Sequence, residues 1–327
     1  MAVLVLTRSD DRGADRVLES IRQRGARAFR LNTDAFPTEL KLMIEYGRVS
    51  PRMTLAAGED RLALNEVSAV WHRRLNVGGL LPSEMEPQLK AASQLESRAT
   101  LMGMIASLQC FYLDPVPNIR QAQNKQLQLQ LAKELGLTIP KTLITNDPDS
   151  VREFYRALEG NVVAKMLSSF AVYEEGRETV VFTNAVKPED VEDLEGLRLS
   201  PMTFQERIAK ALELRVVLIG ECTFAASIDS QQTESTRMDW RRNAVARLDA
   251  WRPYDLPAEI QTKLQRLLDI FGLQYGAFDV ILTPDGRYVF LELNPTGEFF
   301  WLDGIVGLPI SKAIADVLLG ERRRPRQ

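Results

Sequence analysis

Hydrophobic positions near the start of the chain change period twice. Residues 3–6 are an unbroken apolar run, residues 13–24 carry Ala14, Val17, Leu18 and Ile21 at helical spacing, and residues 26–31 are extended in pattern after Gly25. A period that moves from strand to helix and back predicts a β–α–β start and an open α/β domain. Alternating runs at 40–46, 52–56 and 61–64, punctuated by Gly47 and Gly58, predict a small meander. Residues 67–71 predict another strand that runs into His72, Arg73 and Arg74, and residues 86–108 a long helix.

Pro115 and Pro117 break the pattern at 114–118, which marks a domain boundary. Residues 124–135 are helical in spacing with Gly136 as the stop, and Asp147-Pro148 opens a further helix. Runs at 162–166 and 178–183 are rich in strand formers, so this part is expected to be a small α+β domain. Strands are predicted at 202–206, 212–219 and 222–228, then a polar stretch over 229–254 expected to be a loop that orders on substrate, then a helix at 258–271. Two strong strand patterns, 275–282 and 288–293, flank Thr283-Pro284-Asp285-Gly286, a turn whose proline and glycine supply the dihedrals of a hairpin. A helix at 309–319 closes the chain. The expected domains are 1–118, 119–204 and 205–327, with no internal repeat.

Composition removes several function classes. The 327 residues are 45% hydrophobic and 26% charged with a net charge of −3, which gives no electrostatic reason to expect nucleic acid. Arg322, Arg323, Arg324 and Arg326 form a basic tail expected to be a solvated terminus. No run reaches the ~18–20 apolar residues a membrane span needs, and the N-terminus turns acidic too soon for a signal peptide. Cys110 and Cys222 lack metal-ligand spacing, so neither a disulfide framework nor a membrane partner is expected, and the cytoplasm is the expected location. A single histidine, His72, leaves chemistry to carboxylates, lysines and arginines, with His72 a weak candidate for a general base.

The hairpin carries the most specific chemistry. Glu292 and Asn294 stand two apart and share a strand face, and Asp279 can meet them from the neighbouring strand. Three hard oxygen donors of this kind suit Mg2+, whereas an ordinary polar hairpin edge would not strand carboxylates among Ile, Leu, Val and Phe. Lys165 sits inside the apolar strand Val162-Val163-Ala164-Lys165-Met166, where a phosphate would partner it, and Lys125 opens a helix after Asn124. Either lysine could instead face water.

The run GAFDVIL…VFLELNPTGEFFW resembles the D…E-x-N metal signature of ATP-grasp enzymes. That resemblance implies an α/β (α+β) ATP-grasp fold of three domains, the last an antiparallel-sheet domain. It implies Asp279, Glu292 and Asn294 on the metal, and Lys125 and Lys165 on ATP. Glu206 and Ile208 match the segment along the adenine edge, Glu213 the ribose-binding acid, and Arg215 the arginine that stabilises the transferring phosphoryl group. The loop at 167–170, LSSF, is poorer in glycine than the covering loop of many relatives.

Over nearly its full length the chain is similar to the graspetide synthetases, and most similar to the microviridin-type ligases. The similarity is carried by NTDAFPTE at 32–39, VWHRR at 70–74, KQLQLQ at 125–130, EDVEDLEGL at 189–197, ASIDSQQ at 226–232, DWRR at 239–242 and NPTGEFFW at 294–301. His72 stands where tyrosine is common, and Thr296 where valine is common. The resemblance implies a macrocyclase that joins Asp or Glu side chains of a ribosomal precursor peptide to Thr or Ser as ω-esters, using ATP and Mg2+, in a homodimer. An ω-amide-forming member of the same family and a small-substrate ATP-grasp ligase are the alternatives. Glu189, Asp190 and Asp193 are expected to bind a leader-peptide helix, and Arg73, Arg74, Arg241 and Arg242 to hold acidic core side chains. A solvated helix start and surface or interdomain salt bridges would account for the same residues.

Overall fold

The computed structural model of the chain describes residues 1–47, 51–166, 171–174, 177–180, 183–232 and 245–325. The N-terminal part begins with β1 (Ala2–Thr7), buried along its whole length, then α1 (Arg12–Gln23) and β2 (Arg27–Asn32). Asp11 caps α1, accepting from the Ala14 amide at 3.0 Å and from the Thr7 hydroxyl at 2.6 Å. The meander follows as β3 (Leu40–Glu45), β4 (Arg52–Ala57) and β5 (Asp60–Ala63), an antiparallel three-stranded sheet. Then come β6 (Val67–His72), α2 (Pro87–Ser107), β7 (Phe111–Tyr112) and α3 (Val116–Ala122). The main sheet is parallel in the order β2-β1-β6-β7. α3 starts inside the break expected at 114–118, and β7 stands just before it, where the sequence predicts no element. Pro117 stands in the first turn of α3, where a missing N–H costs nothing, so the boundary expected at 118/119 falls inside a helix.

The central part holds α4 (Lys125–Glu134), capped by the Asn124 side chain, then β8 (Thr142–Thr145), α5 (Pro148–Ala157) and β9 (Val162–Lys165). Next are β10 (Ala171–Glu174), β11 (Arg177–Val180), β12 (Asn184–Ala185), α6 (Pro188–Glu192) and β13 (Met202–Glu206). Four of these strands form a sheet in the order β12-β9-β13-β8, and β10 and β11 pair separately.

The last part is built on β14 (Leu212–Ile219), β15 (Cys222–Ile228), β16 (Arg252–Pro253), α7 (Ala258–Ile270), β17 (Tyr275–Leu282) and β18 (Tyr288–Asn294). It ends with α8 (Phe300–Gly304) and α9 (Ile310–Leu319). The sheet order is β16-β15-β14-β17-β18, antiparallel throughout. The polar stretch expected to be a loop contains short helical turns at Ser230–Gln232 and Val245–Ala250 as well as β16. Residues 233–244 lie outside the described residues.

Strand alternation gives this sheet two faces. Leu214, Val216, Leu218, Phe278 and Leu293 point into one core with α7 and parts of α3 and α4. Val217, Ile219, Tyr275 and Ala277 point the other way, into a core shared with α1, α9, Trp71, Phe299 and Trp301. Each fully buried Val, Ile or Phe contributes about 1.5–3 kcal/mol. A shared core of this size therefore fastens the N-terminal part to the last sheet, and whatever stands at its polar end is held rigidly. Among the described residues no helix is long and apolar enough to cross a membrane.

Candidate active site

The second face of the last sheet is apolar at one end and charged at the other. Arg215 lies opposite Asp279 in the β14–β17 ladder, Asp279 opposite Glu292, and Asn294 opposite Ala277. A register shift between Asp279 and Val280 leaves Leu291 as an extra residue. This bulge lets Phe290 and Leu293, three apart, both face the apolar core while Glu292 and Asn294 face away.

The polar contacts are dense. Lys125 reaches from the first turn of α4 and donates Nζ to Glu292 Oε2 at 2.9 Å, Leu293 O at 3.0 Å and Asn294 Oδ1 at 3.1 Å. Asn294 Nδ2 donates to Glu292 Oε1 at 3.0 Å and to Asp279 Oδ2 at 3.3 Å. Arg215 donates Nη1 to Asp279 Oδ1 at 2.8 Å and Nη2 to the Glu298 carbonyl at 3.0 Å. Its guanidinium lies over Trp301, 5.8 Å from the ring centroid.

Burial pushes the Glu292 carboxyl up, but the charges of Lys125 and Lys165, with hydrogen bonds from Asn294 and Lys125, hold it well below the usual carboxylate range. Burial disfavours the Arg215 cation, and Asp279 beside it more than compensates. Lys165, at the end of β9, is thus brought to the hairpin from the central sheet. Glu213 shares the Arg215 face and pairs with Lys210 at 2.9 Å, both side chains nearly buried. Glu206 ends β13, its carboxylate accepting from the Lys141 amide at 3.2 Å, with Ile208 half-buried two residues on.

The donor set fits a hard cation. Asp279, Glu292 and Asn294 converge through the Asn294 amide, and among the described residues no group of three His, Cys, Asp or Glu side chains forms a complete metal shell. Two carboxylates and one amide leave positions for phosphate oxygens and water, as Mg2+ prefers.

The family model described as the MvdD pre-ATP grasp domain matches residues 2–120. The macrocyclase MdnC of Microcystis aeruginosa MRC, solved with the precursor peptide MdnA, is 46% identical, with a TM-score of 0.88 over 98% of this chain and 100% of that one. This chain belongs to the microviridin-type ATP-grasp macrocyclases. A RiPP-associated ATP-grasp ligase of Chryseobacterium gregarium, solved with ADP and a leader and core peptide, is 37% identical, with a TM-score of 0.93 over 100% of this chain and 99% of that one. MdnB of Microcystis aeruginosa MRC is 39% identical, with a TM-score of 0.82 over 98% and 99%. No curated protein matches. As a member of this family the macrocyclase is an ADP-forming ATP-grasp ligase with the three-domain architecture.

The residues expected at the sites of the macrocyclase stand in different surroundings. Arg73 is a correction: it is 2% exposed, and it donates to the carbonyls of Thr296 and Gly297 and to the Glu298 carboxylate, while facing Asp11 at 3.3 Å. It also lies over Trp71 and Phe299. A buried guanidinium committed this way fastens the N-terminal part to the loop after β18 and is not a surface for a core peptide. Arg74 is partly exposed, donating to Thr296 O at 2.8 Å and pairing with Glu298. Arg241 and Arg242 lie outside the described residues.

Glu189, Asp190 and Asp193 are exposed on and just after α6. Asp190 accepts from the Lys187 amide at 2.8 Å, closing the helix start, and Glu189 pairs loosely with Lys187 at 3.4 Å. Lys210 and Glu298 are the residues sequence reasoning passed over. A lone carboxylate in TGEFFW needs a partner for the same reason as Asp279, and that signal was available for Glu298.

Proposed function

We propose that this macrocyclase phosphorylates Asp or Glu side chains of a ribosomal precursor peptide and closes them onto Thr or Ser hydroxyls as ω-esters. What supports this most is the convergence of Arg215, Asp279, Glu292 and Asn294 on one face of the last sheet with Lys125 and Lys165 from outside it, six residues from five separate elements, α4, β9, β14, β17 and β18. Bringing a carboxylate to a triphosphate sets anion against anion, so the site must supply cations and exclude water.

ATP and Mg2+ are the cofactors this site suits. Asp279, Glu292 and Asn294 would hold Mg2+, which when bound neutralises phosphate charge. Lys125 and Lys165 would bind the phosphates, Glu213 the ribose, and Glu206 and Ile208 the adenine edge. Arg215 faces the transferring phosphoryl group. The peptide carboxylate oxygen forms a bond to the γ-phosphorus as the bond to ADP breaks. The hydroxyl oxygen then attacks the acyl carbon, its proton is lost, and inorganic phosphate leaves.

Glu189, Asp190 and Asp193 form an exposed acidic surface suited to a basic leader helix, and Arg74, Arg241 and Arg242 are retained as core-peptide contacts. MdnC was solved with a precursor peptide and the Chryseobacterium ligase with leader and core, which supports a peptide substrate here. We place the enzyme in the cytoplasm, where precursor and ATP meet, as a homodimer that light scattering would test.

Mass spectrometry of a microviridin-like precursor after incubation with the enzyme, ATP and Mg2+ tests the reaction. Loss of one water per bond, reversed by mild alkali, establishes the ester. Alkali-resistant loss establishes the amide instead. No loss, with ATP turnover driven by a small amine or carboxylate, overturns the peptide substrate.

A further inference from the structure

We propose that the α2-facing end of β6, around His72, is a second carboxylate site. It holds an acidic side chain of the peptide outside the phosphoryl-transfer centre. The inference rests on the peptide-ligase assignment above but uses none of its catalytic residues.

Alternation along β6 separates the two sides of the strand. Trp71 points into the core shared with α1, and Arg73 lies over its ring. Val70 points the other way, into the core with Leu101, Met104 and Ile105 of α2. His72, two residues beyond Val70, continues that second side. Arg98 lies one turn before Leu101 on α2. The chain crosses the end of β6 next: Tyr112 pairs with Val70, the Leu113 amide donates to Val70 O at 2.9 Å, and α3 with Arg120 follows. The carboxyl end of a parallel strand is where open α/β folds commonly receive ligands.

The chemistry of this corner is one-sided. Both ring nitrogens of His72 are shielded from solvent and neither has a hydrogen-bond partner. Buried polar atoms are rarely left so without a ligand or water to satisfy them. Burial holds the imidazole below its ordinary value, its own backbone offsets this in part, and Arg98, Arg120 and Arg74 add to the lowering. Arg98 and Arg120 are exposed and, among the described residues, have no hydrogen bond or ion pair. Two unpaired guanidiniums whose charges act on an unsatisfied imidazole match a carboxylate, which accepts from both kinds of donor. Arg74 links this corner to Glu298 and so to the loop beside Arg215. A side chain held here would wait one loop away from the reacting atoms.

The chain contains one histidine, so isotope-labelled histidine gives a single imidazole signal. The probes are glutarate, a short acidic core peptide, and the same peptide with Asn and Gln in place of Asp and Glu, all without ATP. The acidic peptide and glutarate are expected to move the His72 signal and raise its titration midpoint, and the amide peptide to do neither. Arg98→Ala with Arg120→Ala should abolish that response. It should also raise KM for the precursor about tenfold, leaving KM for ATP and kcat within about twofold, since charge-assisted contacts to the peptide are lost and none to the nucleotide. Ring closure by the wild-type enzyme with an unresponsive His72, or an equal response to both peptides, overturns the site. A His72 response to glutarate with no ring closure on any precursor would retire the peptide-ligase assignment while leaving the anion site standing.

Discussion

Two clusters of carboxylates lie in this chain, and they live under opposite physics. On β17 and β18, Asp279 and Glu292 are largely buried, and every oxygen faces a lysine, an arginine or the Asn294 amide. On and after α6, Glu189, Asp190 and Asp193 are exposed, and their local contacts are a helix cap and one loose ion pair. A buried carboxylate costs several kcal/mol unless its charge is met, so the hairpin pair depends on Lys125, Arg215 and Asn294 to stay ionised in place. An exposed one costs nothing, and its contribution to binding must come from a partner. In the function proposed above the first cluster would carry the chemistry, and the second would be an address on the surface.

Substitutions should separate the two sharply. Glu292→Gln or Asp279→Asn is expected to lower ATP turnover by at least about a thousandfold, with far-ultraviolet dichroism unchanged, because either removes charge needed at the phosphates. Near-normal turnover in both would break the contrast. Arg215→Ala should lower phosphoryl transfer by about 10³-fold or more, as other arginines facing that transfer do, read in single-turnover kinetics. Arg73→Ala should act on stability first. Leaving Asp11 and Glu298 without their buried cation costs about 3–5 kcal/mol, visible as a lowered Tm, with peptide KM changing less than for Arg74→Ala.

A pH titration sharpens the same comparison. The folded Glu292 carboxyl lies below its unfolded value, so its contribution to stability is complete above about pH 4.3 and is lost as pH falls through the folded value. Glu292→Gln should flatten that part of the acid limb of a denaturation curve, whereas Asp190→Ala should leave it unchanged. Asp190→Ala is the mildest change. A cap is worth about 0.5–2 kcal/mol, and leader affinity, measured by calorimetry, should fall about tenfold with the ATP site untouched. Unaltered leader affinity would move the docking surface away from α6.

Legibility followed the same division. The hairpin was readable because its rule is local: a two-residue period, a Pro-Asp-Gly turn, and carboxylates where apolar residues surround them. The bulge at Leu291 was not, since no pattern along one strand reveals a register shift against its neighbour. α3 hid behind Pro115 and Pro117, which signal a break equally well when they open a helix, and β7, two residues long, is too short to show a period. Arg73 and Arg74 look alike in sequence, yet alternation sends the first into the core between domains and leaves the second at its rim. The pairing of Lys210 with Glu213 depends on how residues 207–211 cross between two sheets, which only the assembled fold decides.

Gln128 carries one more consequence. From α4 its side-chain amide donates to the carbonyl of Leu293 at 2.8 Å and accepts from the Leu293 amide at 2.8 Å, grasping the residue between Glu292 and Asn294 at both of its backbone groups. Lys125 rides on the same helix. In any opening or closing of the molecule, Lys125 therefore travels with the hairpin as one piece, a fixed jaw. Lys165 stands on β9 of the central sheet, so under the proposed function the distance between the two lysines would be the quantity that any closing on a nucleotide changes.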